Sequence, residues 1–238
     1  MTSALRYDAP HRVAAMSYEL HLYKDEIAPA AAVTLPARAH CVEAIYVVAG
    51  GLRVATAALT AACGVNSALH ATGAVQISGS NLPTVALRWW LAAAGASPAA
   101  LTGAGVSSTT LLTAPLVLDR NTPYLLRCDR VDFPPQGEAL LHTHQGGGIR
   151  CLLFGGIEIE TKGARYRYGP LGAWFEAGSD PVYAGTSPTG PSAFVRLMIL
   201  PRALLGKSSI SYVNAGDQDK PKSQRYQVFI DAPIELPR

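Results

Sequence analysis

The sequence predicts an all-β protein built from two similar halves, and three observations carry that expectation. Short apolar runs recur along the chain, broken by glycine and proline instead of by polar helix faces. No stretch holds a helical period with caps; only Ala57 to Ala62 has the composition for a turn of helix. The chain also repeats itself. Arg38-x-His40 followed by Tyr46-Val-Val-Ala-Gly-Gly51 parallels His142-x-His144 followed by Leu152-Leu-Phe-Gly-Gly156. Downstream, Ala86-Leu-Arg-Trp-Trp-Leu91 parallels Phe194-Val-Arg-Leu-Met-Ile-Leu200. An offset of roughly a hundred residues is that of a duplicated domain, since solenoid repeats run about 20–50 residues.

Taken in order, Tyr18-Glu-Leu-His-Leu-Tyr23 is the best strand of the first twenty-odd residues. Ala32 to Leu35, the run ending at Gly50-Gly51, and Leu52 to Ala55 follow as short strands. Ala74 to Ile77 and Val85 to Leu91 are the next. Ser97 to Thr113 is rich in Gly, Ser, Thr and Ala and reads as a linker or long loop. It sets the expected units at 1–112 and 113–238. The tail adds strands at Ser209 to Val213 and Tyr226 to Asp231 around a polar loop, Asp217 to Ser223, and is placed to cover a sheet edge.

Composition excludes several classes. The 238 residues carry a net charge of +3 with basic residues scattered among acids, so the basic stripe that nucleic acid requires is missing. From Val54 to Leu118 the sole charged residue is Arg88, yet prolines and glycines interrupt the stretch and large apolar side chains never dominate it, which argues against a membrane span. The uncharged first half and the exposed sheet edges together predict a homodimer. Four cysteines at 41, 63, 128 and 151 form no Cys-x-x-Cys pair, and the N-terminus has no apolar signal core; reduced thiols in the cytoplasm are expected. Cys151 follows the His-x-His run closely but reads as packing. Gly146-Gly-Gly148 lacks the Lys-Ser/Thr of a phosphate loop, and Gly-x-Ser-x-Gly is absent.

The chemistry concentrates at His142-Thr-His144. In a strand, residues i and i+2 share a face, so two imidazoles at this spacing can meet one ion from one barrel wall. The glycines that follow allow a sharp turn before the next apolar run, Cys151 to Phe154.

These residues resemble the cupin superfamily, and specifically a bicupin with two tandem domains. Gly137, His142, His144 and Gly155 or Gly156 fit its first motif; His40, Glu43, Tyr46 and Gly50 follow the same order in the first half. Its second motif resembles Gly169-Pro-Leu-Gly-Ala-Trp-Phe-Glu-Ala-Gly-Ser-Asp-Pro-Val-Tyr183. The likeness covers most of residues 25–95 and 125–200. It implies two double-stranded β-helix barrels of the jelly-roll kind, often dimeric. The chain departs from the pattern in both halves. Gly148 or Ile149 stands where the motif glutamate belongs, with Arg150 adjacent. The late histidine is absent near Asp180-Pro-Val-Tyr183, Arg38 replaces the first histidine of the first half, and His70 falls too early to substitute.

The resemblance implies a metal-dependent enzyme acting on a small organic acid or aromatic in the second half. His142, His144 and Glu176 are the candidate ligands for Zn, Fe, Mn or Ni, with Glu138 and Asp180 as runners-up. Arg150 and Tyr183 are the candidate substrate-binding residues. Arg150 either offers its planar fork to a carboxylate or faces solvent. Arg38, His40 and Glu43 form a secondary, vestigial pocket or a structural ion pair. The alternative is a metal-free barrel that binds or senses a small molecule, with the histidines and Arg150 as polar anchors. Trp89 and Trp90 are expected to pack between the halves or between subunits.

Overall fold

A computed structural model describes residues 15–35, 42–56, 60–71, 75–97 and 99–237. Arg38 and His40 of the secondary pocket therefore lie outside the described residues. The first half contributes β1 (Ala15–Ile27), β2 (Ala32–Leu35), β3 (Val42–Ala49), β4 (Gly51–Ala55) and β5 (Thr60–Gly64). It continues with β6 (Ala68–Ala71), β7 (Val75–Gly79), β8 (Thr84–Ala93), β9 (Thr102–Gly103) and β10 (Val106–Asp119). The second half contributes β11 (Tyr124–Phe133), β12 (Glu138–His144), β13 (Gly148–Phe154), β14 (Ile157–Thr161) and β15 (Ala164–Tyr168). After them come β16 (Ala173–Glu176), β17 (Val182–Thr186), β18 (Ser192–Pro201), β19 (Ile210–Tyr212) and β20 (Arg225–Ile234). Each half folds as a large and a small antiparallel sheet: β6-β3-β8-β1-β10-β9 with β2-β7-β4-β5, and β16-β13-β18-β11-β20 with β15-β14-β17-β12-β19. The all-β jelly-roll expectation holds.

Two expectations of detail change. Thr60 to Ala62, assigned to a helical turn, lie in β5. The expected linker at 97–113 is in large part the β9–β10 hairpin, turned at Gly105 with a positive φ of 73°. Strand β10 pairs with β1 as far as Asp119, so the expected boundary at 112/113 falls inside a strand. The Ser and Thr residues that suggested a linker sit largely on the less buried positions of β10, where β-branched threonine suits a strand as well as a loop.

The duplication shows in matched turns. Gly50 and Gly155 both take positive φ, +74° and +81°. A Cβ at either would stand 2.5 Å from a carbonyl oxygen, of Pro83 and Pro191 respectively. In each half the following glycine exchanges hydrogen bonds with one hydroxyl: Thr84 Oγ1 donates to Gly51 O at 2.8 Å, and Ser192 Oγ donates to Gly156 O at 2.9 Å.

The large sheets carry apolar residues on both faces. One face of each meets the other half: Tyr18, Leu20, Leu87 and Trp89 pack with Leu126, Ile149, Cys151 and Leu197 in a common core. Trp89 Nε1 donates to Ile149 O at 3.2 Å across this seam, which places Trp89 between the halves. Trp90 points the other way and packs with Tyr23, Ala92 and Ala99. The opposite faces close separate cores around Ile45, Val54 and Ile77 in the first half and around Val131, Ile159 and Trp174 in the second. Strand β20 covers the β11 edge of its own chain and reaches the first half through Asn66 Nδ2, which donates to Gln227 Oε1 at 3.2 Å.

Each inner face also carries one buried ion pair. Arg88 Nε on β8 sits 2.6 Å from Asp25 Oδ2 on β1; Arg196 Nε on β18 sits 2.6 Å from Asp129 Oδ1 on β11. Glu43 joins the first pair, 3.1 Å from Arg88 Nη1. Glu43 thus pairs with Arg88, while its expected partners Arg38 and His40 lie outside the described residues. The described residues of the low-charge stretch from Val54 to Leu118 lie in strands and loops, and no helix among the described residues is long and apolar enough to cross a membrane.

Candidate functional site

Strand alternation decides which candidates meet. On β12, His142 and His144 turn inward and are buried. On β13, Gly148, Arg150 and Leu152 face the barrel while Ile149 and Cys151 face the seam, so Arg150 points inward and Cys151 does not. Burial pushes the Cys151 thiol up to about 12, which suits a packing role. On β17, Val182 and Ala184 face inward and Tyr183 faces out, where its hydroxyl donates to Glu138 Oε2 at 2.9 Å. Tyr183 is therefore not in the barrel, and Glu138 is not available to a site inside it. Asp180 pairs with Lys162 at 2.8 Å near the surface. His70 Nδ1 donates to Glu43 O at 2.8 Å in the first half.

The inner site holds His142, His144, Arg150 and Glu176, with Arg196, among apolar walls that include Val131, Phe133, Ile159 and Trp174. Glu176 enters from an instructive position. Its strand β16 pairs with β13, and Glu176 lies directly across from Gly148. At Gly148 a Cβ would stand 2.1 Å from Leu197 O, so no side chain fits there. Across from the position where the resemblance places a carboxylate, the neighbouring strand carries Glu176. Gly148→Ala is expected to cost about 2–3 kcal/mol, because the backbone of β18 must move to admit the methyl; urea unfolding measures this, and an unchanged midpoint would contradict the close packing.

The geometry is tight. His142 Nε2 and His144 Nε2 are 3.2 Å apart, and His144 Nε2 is 3.4 Å from Glu176 Oε2. His142 Nδ1 donates to Leu140 O at 2.7 Å, which fixes its tautomer and leaves a lone pair on the inward Nε2. His144 Nδ1 lies 3.3 Å from Ser209 Oγ, a residue of the C-terminal segment. Trp174 Nε1 donates to Glu176 Oε1 at 2.9 Å. Arg150, fully buried, donates from Nη1 to Gly148 O at 2.6 Å and brings Nη2 within 2.7 Å of Glu176 Oε2. That contact is a close ion pair at an angle unsuited to a hydrogen bond. Arg150 Nε and Nη2 and Glu176 Oε2 consequently make none, although all three are buried.

Electrostatics follow from burial. Burial lowers both histidines and outweighs the opposing pull of Glu176, taking His144 down to about 3, so both imidazoles are neutral at physiological pH. Burial by itself would raise Glu176, but the Arg150 charge, His144 and Trp174 hold it well below the usual carboxylate range. Burial lowers Arg150 to about 10, which leaves it charged.

The donor chemistry suits a divalent ion: two neutral imidazoles face each other, and an ionised carboxylate oxygen beside them lacks a hydrogen bond. The third donor is shared with Arg150. Among the described residues, no group of three or more His, Cys, Asp or Glu is arranged to hold a metal ion outright.

Reading from sequence missed Arg196, which lines the site, and Asp129, which pairs with it. The repeat held the signal, since Arg88 and Arg196 are aligned in the two halves. It also missed Ser209 and Tyr226, which the C-terminal segment brings to the site and which no motif marks.

No protein-family model matches the chain, and no curated protein does. Solved structures do. AerE from Microcystis aeruginosa matches with a TM-score of 0.55 and 12% identity, over 75% of this chain and 87% of that one. The oxalate decarboxylase of Lactobacillus farciminis, solved as a formate complex, matches with a TM-score of 0.60 and 11% identity, over 84% of this chain and 82% of that one. The oxalate decarboxylase of Bacillus subtilis, described for its Mn(II) centres, gives 0.60 and 10% over 84% and 73%. At these identities the likeness speaks to architecture. The chain has the cupin fold in its two-barrel, bicupin form.

Proposed function

We propose that this protein is a metal-dependent enzyme that acts on a small organic acid in its C-terminal barrel. The observation that carries the reading is the pair of neutral imidazoles, their Nε2 atoms 3.2 Å apart, beside a carboxylate oxygen that lacks a hydrogen bond. His142 and His144 would hold Zn, Fe, Mn or Ni, with Glu176 as the third donor. When bound, the ion supplies Lewis-acid polarisation of a substrate oxygen or, if it is iron, oxygen activation. The Mn(II) centres of the Bacillus subtilis oxalate decarboxylase are in keeping with such a role for this fold.

The chain's own residues have separable tasks. Leu140 O and Ser209 Oγ orient the two rings from behind. Arg150 keeps Glu176 ionised. Phe133, Ile159 and Trp174 exclude water from the inner wall.

A second reading has its own observation. Arg150 already places a cation 2.7 Å from Glu176, which favours a metal-free barrel that binds small molecules. Elemental analysis of protein purified without chelator separates the two. About one equivalent of metal in the wild type, lost in His142→Ala/His144→Ala, supports the enzyme. Equally negligible metal in both removes its basis and leaves the binder.

A further inference from the structure

The inner space among His142, His144 and Glu176 is about 20 Å³, little more than one water needs. No organic acid fits there whole. Arg196 and Tyr226, however, also line a second and larger hollow of about 510 Å³, within the range of small-molecule sites. This hollow lies against the C-terminal segment that follows β18, and the same segment supplies Ser209 to His144.

We infer that this hollow is the substrate vestibule of the C-terminal barrel, and that it selects a carboxylic acid with an apolar, ring-sized body. The inference deepens the proposed function and rests on the C-terminal barrel being the working site; it holds with or without a metal there. Charge is the first argument. The lining carries Arg127, Arg196, Lys207 and Lys222 against two carboxylates, Asp129 and Asp231. Both carboxylates are taken: Asp129 by Arg196 at 2.6 Å and Asp231 by Arg127 at 3.0 Å. Lys207 and Lys222 are left to set the sign, and both are exposed.

The walls supply the second argument. Ile210, Tyr212, Tyr226 and Val228 line the hollow, with Tyr226 44% and Val228 55% exposed. Apolar side chains this open beside two exposed lysines suit an amphipathic anion; Lys222 Nζ donates one hydrogen to Asp217 O and keeps two others. Lys222 Nζ already stands 4.0 Å from the centre of the Tyr212 ring, so charge and aromatic face are side by side. The third argument lies deeper. Arg196 and Tyr226 line both the hollow and the inner space, so a ligand held in the hollow lies beside the chamber of His142, His144 and Glu176.

The test is calorimetric titration of the full chain with 3-phenylpropanoate and with its uncharged amide, in the wild type and in Lys207→Ala/Lys222→Ala. Both lysines are exposed, so the variant keeps its fold, which a melting curve checks. The acid should bind the wild type and the amide should not. The double variant should bind the acid about tenfold more weakly, the order that two partly screened ion pairs supply. Tyr226→Ala should weaken it as well. Equal binding of acid and amide, no binding of either, or an unchanged affinity in the lysine variant would each overturn the vestibule. Metal content, measured on the same samples, reports on the enzyme reading separately, because neither lysine belongs to the inner site.

Discussion

Arg88→Met should lower the unfolding free energy by about 3–5 kcal/mol, although the residue lies far from any chemistry proposed for this protein. Arg88 is fully buried and its guanidinium serves four residues: Asp25 at 2.6 Å through Nε and 3.3 Å through Nη2, Glu43 at 3.1 Å through Nη1, and Ala99 O at 2.8 Å and Ser108 Oγ at 3.5 Å through Nη2. It also lies 4.6 Å from the centre of the Tyr23 ring. A methionine fills much of the volume but leaves Asp25, itself 1% exposed, as a carboxylate without its cation. The cost is the desolvation of that orphaned charge more than the loss of an attraction. Two comparisons make the argument specific. Arg88→Lys keeps the charge yet loses the planar fork, and should recover less than half of the loss. Arg88→Met combined with Asp25→Leu removes the closest pair of charges and should recover part of it, since an apolar pair is often as stable as a buried ion pair, while Glu43 still lacks its Arg88 contact. Urea unfolding at neutral pH measures all three; at this length the single variant should melt about 10 °C lower. If the double variant is no more stable than the single one, the penalty comes from packing and the electrostatic account fails.

The same ion pair illustrates what the sequence could reveal. The repeat was legible because turns need particular residues: Gly50 and Gly155 take a backbone conformation that side chains resist, and a hydroxyl at Thr84 or Ser192 ties each turn down. His142 and His144 were legible because the spacing of two puts both on one face whichever face that is. Tyr183 and Arg150 needed more. Their direction depends on a register that a single residue inverts. Alternation usually reveals it, but β13 is buried on both faces, by the barrel on one side and by the other half on the opposite side, so Ile149, Cys151 and Leu152 are all apolar. Arg150 could not be oriented from such a run. The expected boundary failed for a related reason, since the outer face of β10 is polar enough to pass for a linker. Glu176 was assignable to the facing strand, but its partner Gly148 was not, because a missing side chain signals close backbone contact only once the neighbouring strand is known.

Stability should fall steeply as pH drops from about 6.5 toward 3, measured with a chelator present, and the inner site should account for much of that loss. In the unfolded chain a histidine takes up its proton near pH 6.5. In the folded chain burial lowers both His142 and His144, and His144 protonates only at about 3. Between these values the unfolded state binds more protons than the folded one, so unfolding becomes easier as pH falls. For His144 alone the full excursion is on the order of 5 kcal/mol. Glu176 acts with the same sign in a lower window. Its folded form resists protonation because Arg150 and His144 stabilise the charge, so its contribution is present above about 4.5 and disappears below that. His144→Gln should make the curve shallower from pH 6.5 down to about 3, leaving the slope that His142 supplies and, below 4.5, the part that Arg150 supplies through Glu176. The opposite curve is also conceivable on chemical grounds. Had Glu176 held the imidazoles protonated, as an ion pair between His144 and Glu176 would, acidification through 6.5 would stabilise the protein. A wild type that gains stability between pH 7 and 5 would therefore show that the two rings are cations. Their Nε2 atoms, 3.2 Å apart, would then offer hydrogens and no lone pairs, and the site could not take a metal as proposed.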